Sequence, residues 1–235
     1  MASEAALAIY LDAPMQSWGV SSRFQQRGTE AFPSKSGIIG LLAAALGIDK
    51  HAPDEAEQLA PLAALRFSAW RVTFERGSHP VLRLEDFHTV GGGYDRSDPV
   101  DKLRISSKAS GGPSGTVITR RTYLTDAKFV VALEGDAEVL ARCADALRDP
   151  RWGVWFGCKC CIPAAPLLPT DAATVREAVD KLLATLGGND NPAHSGDGQT
   201  QQTDPAAWWP QDAPVSFKRR EFRARPVLRS GAKPT

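Results

Sequence analysis

A chain of 235 residues with 43% hydrophobic content can bury one sizeable core, or one core with a small satellite, and composition argues against more than two domains. No apolar run reaches the roughly eighteen residues of a membrane helix, and the first residues lack a basic, apolar and small-residue leader pattern, so the expectation is a globular, cytoplasmic protein without a membrane partner. The net charge of +1 argues against a uniformly basic nucleic-acid binder but hides a segregated one, because residues 215–235 hold Lys218, Arg219, Arg220, Arg223, Arg225, Arg229 and Lys233 against the single acid Glu221.

In chain order, the apolar run Ala6 to Leu11 suits a buried first strand, ended by Asp12-Ala13-Pro14. A polar loop leads to Phe32-Pro33-Ser34-Lys35-Ser36-Gly37. Pro33 disfavours helix at Phe32, Ser34 or Ser36 can cap, and Ile38, Ile39, Leu41, Leu42 and Leu46 give a helix over 36–46 its buried face. Free amides, a hydroxyl and a lysine in that first turn suit a phosphate, although the same residues make an ordinary capped core helix. The Walker spacing is absent, so nucleotide hydrolysis is not implied.

Residues 65–74 alternate as a second strand. Residues 76–121 are polar and basic, interrupted by Gly91-Gly92-Gly93 and Gly111-Gly112-Pro113. They cannot carry a core and read as a long hairpin or flexible arm. A third strand is expected over 126–133, then a helix over 137–147 capped by Asp136, with Val139, Leu140, Cys143 and Leu147 on one side. With Trp152 to Phe156 as a fourth strand, the order is that of an α+β, ferredoxin-like fold, the fold that RNA recognition modules use. A further helix is expected over 171–186 and a mobile loop over 187–205. Residues 215–228 then form a basic alternating strand, with Arg219, Arg223 and Arg225 on one parity and Lys218 and Arg220 on the other.

The four histidines form no metal-hydrolase pair. His88 alone lies in a strand-like stretch beside a glycine turn, where it could act as a general base, contact RNA or be structural. Cys158, Cys160 and Cys161 are too cramped for paired zinc knuckles, and with Cys143 they read as structural or incidental thiols, implying no disulfide. No metal, cofactor or catalytic residue is assigned. A basic and aromatic constellation carries more weight: Arg120, Arg121 and Tyr123; Arg151, Trp152, Trp155 and Lys159; and Lys218, Arg219 and Arg220. Guanidinium groups pair phosphates and exposed rings stack on unpaired bases, which are the needs of a single-stranded RNA binder. The alternative is that the rings are core and the arginines merely solvated.

Several of these segments together resemble one family. Ala13-Pro14-Met15-Gln16-Ser17-Trp18-Gly19, the stretch from Phe32 to Leu42, Asp86-Phe87-His88-Thr89-Val90, Arg121 to Ala127 and Pro150-Arg151 through Leu167 follow the order of the CasD family. That family supplies the crRNA 5′-handle-binding subunits of the type I-E CRISPR surveillance complex Cascade, within the repeat-associated RAMP superfamily. The resemblance implies a ferredoxin-like RNA-binding domain over 1–168, with residues 76–121 as its thumb, and a small C-terminal region over 169–235 holding the loop 187–205 and the basic strand 215–228. It also implies that the chain grips the crRNA 5′ handle, caps the Cascade backbone subunit, meets the large subunit, and presses its thumb against target DNA near the first spacer bases. Ser34, Lys35 and Ser36 would meet the handle, and Arg104, Lys108, Arg120 and Arg121 would be thumb phosphate contacts. Arg23, Gln25, His88 and Thr89 are candidates by loop position. CasD is a non-catalytic binder, while in type I-C systems the equivalent subunit cuts precursor RNA. The alternative function is therefore a metal-independent crRNA-processing endoribonuclease, with His88 as acid or base and Tyr123 or Lys35 in support. A protein-only interaction module is the third reading.

Overall fold

The computed structural model describes residues 4–19, 25–72, 82–90, 97, 99, 117–187, 194–197 and 208–230. The elements in chain order are β1 (Glu4–Asp12), β2 (Met15–Gln16), β3 (Gln26–Arg27), α1 (Lys35–Leu46), α2 (Glu55–Ala64), β4 (Arg66–Arg71), β5 (Leu82–Val90) and β6 (Val117–Thr125). They continue with β7 (Lys128–Asp136), α3 (Ala137–Arg148), β8 (Thr170–Ala172), α4 (Val175–Leu186), β9 (His194–Asp197), β10 (Gln211–Ser216), β11 (Glu221–Ala224) and β12 (Val227–Ser230).

Six of the strands make one antiparallel sheet in the order β12-β9-β4-β7-β1-β8. Its longest pairing, β1 with β7, runs in register from Glu4 opposite Asp136 to Asp12 opposite Lys128. Alternation sends Leu7, Ile9, Leu11, Phe129, Val131 and Leu133 to one face, where Ile38, Ile39 and Leu42 of α1 and Leu140 and Cys143 of α3 cover them. The other parity, Ala6, Ala8, Tyr10 and Val130, meets Ala178 and Leu182 of α4. Both faces are therefore covered, and this is why β1 reads as an unbroken apolar run instead of an alternating one.

The helices begin where their caps say they should. The Ser34 hydroxyl accepts from the Gly37 amide at 3.3 Å, Asp136 accepts from the amides of Glu138 and Val139, and Thr174 accepts from Glu177. Helix α2 was not expected from the sequence. It carries Pro61 inside and its Asp54 start makes no side-chain cap bond, yet Leu59 and Leu62 are buried and hold it in place.

Three expectations need correction. Residues 152–156 are not a strand, and the strand beside β1 is the three-residue β8. The reason lies in the backbone: the amides of Arg151 and Trp152 donate to the carbonyls of Ala45 and Ala44 at the end of α1, while Phe156 pairs with Ser17 and Cys161. Little of that backbone remains to form a ladder. The segment expected as a mobile loop contains β9, which pairs with β4 and β12. Ladder bonds are made by backbone groups, so the lack of apolar anchors does not forbid a strand. The basic segment 215–228 is broken by a turn over 217–220, with Arg220 at φ 53, so β10 and β11 form a hairpin and the expected parity is lost.

A second sheet is organised around β6. Strand β5 pairs along its whole length, from Leu82 opposite Thr125 to Val90 opposite Val117, while β2 and β3 share the other edge. Residues 82–90 and 117–121 of the expected arm are thus the two sides of a hairpin. Arg104, Lys108 and both glycine clusters lie outside the described residues, as does Arg23.

Candidate nucleic-acid interface

Strand β3 runs parallel to β6, with Gln26 beside Arg120 and Arg27 beside Arg121. The Arg120 amide donates to the Gln25 carbonyl at 2.8 Å and seals the pairing. Paired residues in a ladder share a face, so the side chains of Arg27 and Arg121 start from strands about 4.8 Å apart. On its other side Arg121 stands opposite Asp86 of β5 in the ladder, although neither arginine closes an ion pair among the described residues. Arg121 Nε instead donates to Thr119 Oγ1 at 3.3 Å. Like charges placed side by side are less unfavourable when an anion joins them, so the pair is a candidate anion site.

The same face carries Tyr123, and together these residues form one wall of a cleft of about 360 Å³. The opposite wall is the start of α1, with Ser34, Ser36 and Gly37, and the turn at Gly157 and Cys158 closes it. The cleft continues along α1 into a depression of about 260 Å³ over Gly40, Leu41 and Ala44, flanked by Trp155 and Lys159. Lys159 Nζ lies 5.7 Å from the centre of the Trp155 ring, so a cation and an aromatic face end the groove as two arginines begin it.

A rigid floor fixes these walls. Trp18 is buried, stacks on Phe156 at 6.0 Å and donates from Nε1 to Gln16 Oε1 at 3.0 Å, while Gln16 Nε2 donates to the Ala127 carbonyl at 2.6 Å. A Cβ on Gly37 would stand 2.8 Å from the Trp18 ring, so the helix approaches that floor because no side chain intervenes. Gly157, at φ 86, turns so closely against the Ser17 carbonyl that a Cβ would collide with it.

The helix start differs from its expected chemistry. The Lys35 amide donates to Asp212 Oδ2 at 2.8 Å, and Asp212 is itself held by Arg225 through Nε at 2.7 Å and Nη2 at 3.1 Å, with both side chains buried. A carboxylate of β10 therefore occupies the anion seat that the sequence offers. Lys35 is buried as well, at 6% exposure. What the first turn presents to the cleft is the pair of hydroxyls on Ser34 and Ser36, 3.4 Å apart.

The other expected residues are dispersed. Arg120 points to the face opposite Arg121, 6.0 Å over the Phe87 ring and 3.9 Å from Glu85. His88 and Thr89 lie on β5, opposite Thr119 and Ile118; the Thr119 hydroxyl donates to the His88 carbonyl. Arg151 lies across Gly47 at the far end of α1, about 20 Å from Ser34 by helical rise, where a cation meets the helix carbonyl end. Lys218, Arg219 and Arg220 form the β10–β11 turn: Lys218 Nζ donates to the His51 carbonyl, and Arg219 pairs with Glu221 at 3.1 Å. That turn is clasped by the buried carboxylate of Glu55, which accepts from the Ser216 hydroxyl and the amides of Phe217 and Lys218.

Arg27 and Gly28 escape the sequence reading altogether, and Ser17, Gly157 and Cys158 are not legible there as groove residues. An arginine in a two-residue strand has no periodic signal, and its partner is 94 positions away. Burial, with Cys160 beside it, pushes the Tyr123 hydroxyl up to about 12, so it remains a proton-bearing donor at neutral pH.

Known proteins match this arrangement along nearly the whole chain. The model of a family described as CRISPR-associated protein (Cas_Cas5) matches residues 6–227. The CRISPR system Cascade subunit CasD of Escherichia coli (strain K12) is 30% identical over 164 residues, 68% of each chain. Among solved structures, a chain of a CRISPR RNA-guided surveillance complex superposes with a TM-score of 0.71 at 28% identity, covering 96% of this chain and 89% of that one. A Cas protein seen by crystallography gives 0.60 at 27%, over 96% and 93%.

Proposed function

The chain belongs to the CRISPR-associated Cas5 family, and from that premise we propose that it is a non-catalytic Cascade subunit that grips the 5′ handle of the crRNA in the groove along α1. The observation that carries the reading is the Arg27–Arg121 pair facing the Ser34 and Ser36 hydroxyls across the cleft. Two guanidinium groups and two hydroxyls suit one or two backbone phosphates, and the Trp155 face with Lys159 suits an unstacked base further along. The strand order β4-β7-β1-β8, with α1 and α3 on one face, supports a ferredoxin-like domain. The β5–β6 hairpin supports a thumb that reaches target DNA near the first spacer bases, and the chain caps the backbone subunit beside the large subunit.

The geometry favours binding over cutting. His88 and Tyr123 stand four register positions apart along the hairpin, about 14 Å, and Lys35 is buried, so the expected acid–base group is not assembled. In the assembled complex, Arg27→Ala with Arg121→Ala should weaken retention of labelled handle RNA by about tenfold or more. The slope of log affinity on log salt should become shallower by about 0.7 for each phosphate that the variant no longer neutralises. Unchanged affinity and slope in a complex that still assembles would refute the site. Cleavage of repeat RNA in chelator, abolished by His88→Ala, would replace the binder with the nuclease.

A further inference from the structure

Of the thiols that read as structural or incidental in the sequence, Cys158, Cys160 and Cys161 share one loop at the groove wall. Residues 156–161 form a small loop pinned at both ends: the Phe156 amide donates to the Cys161 carbonyl at 2.9 Å, the Cys161 amide to the Cys158 carbonyl at 2.8 Å, and the Ser17 amide to the Phe156 carbonyl. Cys161 is buried in the core and anchors the loop, while Cys160 is exposed and Cys158 lines both parts of the groove. Cys160 Sγ lies 3.5 Å from Cys158 Sγ and 3.6 Å from the Tyr123 hydroxyl.

We propose that Cys158 and Cys160 form a reversible dithiol–disulfide pair, a modification site in the wall of the groove. A bond of about 2.0 Å requires an approach of about 1.5 Å between two sulfurs already in contact, in a loop pinned at both ends. Cys160 is the attacking group. Burial by itself would raise its thiol, but its hydrogen bonds with Tyr123, Cys158 and Cys161 outweigh that and hold it below the ordinary thiol range. Burial pushes Cys161 up to about 12 and leaves it inert.

The oxidant is a small-molecule disulfide such as oxidised glutathione. The Cys160 thiolate attacks one of its sulfurs, the S–S bond breaks, and the departing glutathione thiolate takes up a proton. Cys158, losing its own proton, then attacks Cys160 sulfur in the mixed disulfide and expels the second glutathione. Two protein thiols are oxidised and one disulfide is reduced to two thiols.

Lys159 stands between the two cysteines, so trypsin separates them unless a disulfide joins the fragments. After treatment of the full chain with oxidised glutathione, alkylation and digestion, the two peptides should run as one species that dithiothreitol splits. Cys158→Ser should instead retain glutathione on Cys160. Cys160→Ser, an exposed substitution, should melt as the parent does and give only separate peptides. Separate peptides from the oxidised parent, a lasting glutathione adduct on the parent, or a bond from Cys160 to Cys161 would each overturn the proposal.

Discussion

In the six-stranded sheet, β1 buries every residue from Ala6 to Leu11, whereas in the second sheet β5 leaves Leu82, Leu84 and Phe87 in solvent, with Ile118 of β6 exposed beside them. The first sheet is covered on both faces by its own helices, so its stability is internal. The second sheet places cations and open apolar groups on a scaffold of backbone ladder bonds, and its side chains remain available to an interface. The two sheets thus differ in degree: the first is buried on both faces, while the second sends Tyr123 and Leu124 into the core and leaves its outer hairpin face open.

The contrast can be broken most severely at Phe129, which is fully buried where β7 faces α1 and touches Phe32 at 5.8 Å. Phe129→Ala should cost about 3–5 kcal/mol in urea unfolding; a loss below about 1 kcal/mol would mean that the core is not concentrated there. Glu55, which joins α2 to the basic turn, comes next. Burial alone would raise its carboxyl, but the donors Ser216, Phe217 and Lys218, with Arg219 nearby, hold it below the usual range. A depressed carboxyl stabilises the fold fully above its unfolded value near 4.3 and loses that contribution as pH falls through the folded value. Glu55→Gln should therefore lower stability by about 1–3 kcal/mol at neutral pH, and the gap to the parent should close on acidification below that range. A gap independent of pH would show that packing, not charge, is at work. The smallest effect belongs to the hairpin: Phe87→Ser should shift the unfolding midpoint by no more than about 0.5 kcal/mol. A larger loss would mean that the open face of the hairpin carries stability as well.

The parts of the fold that show in the sequence are those whose signal is local. Strands β1 and β7 announce themselves as apolar runs, and α1 and α3 by caps followed by apolar spacing at Ile38, Ile39, Leu42 and at Leu140, Cys143, Leu147. Strand β8 does not, because Thr170-Asp171-Ala172 is short and polar, while Trp152 to Phe156 has strand-like composition but donates its backbone to loops and helix ends. Helix α2 hides behind Pro61. At the site, Ser34 and Ser36, Arg121, Tyr123, Trp155 and Lys159 are legible as residue types and are brought to one groove. Arg27 is not legible, since only its register with Arg121 gives it meaning. Lys35 misleads for the same reason: its amide partner, Asp212, is far along the chain, and no local pattern predicts that an acid from there will fill a phosphate seat.

That contact joins residues 177 positions apart, and it has a consequence for how the chain comes into being. During synthesis, helix α1 emerges early and waits with its first amide unanswered. Asp212 and then Arg225 must leave the ribosome before the groove wall acquires its final partners. Until both have emerged, the start of α1 lacks the carboxylate and arginine that hold it, so the groove wall is fixed by a later segment that lines none of it.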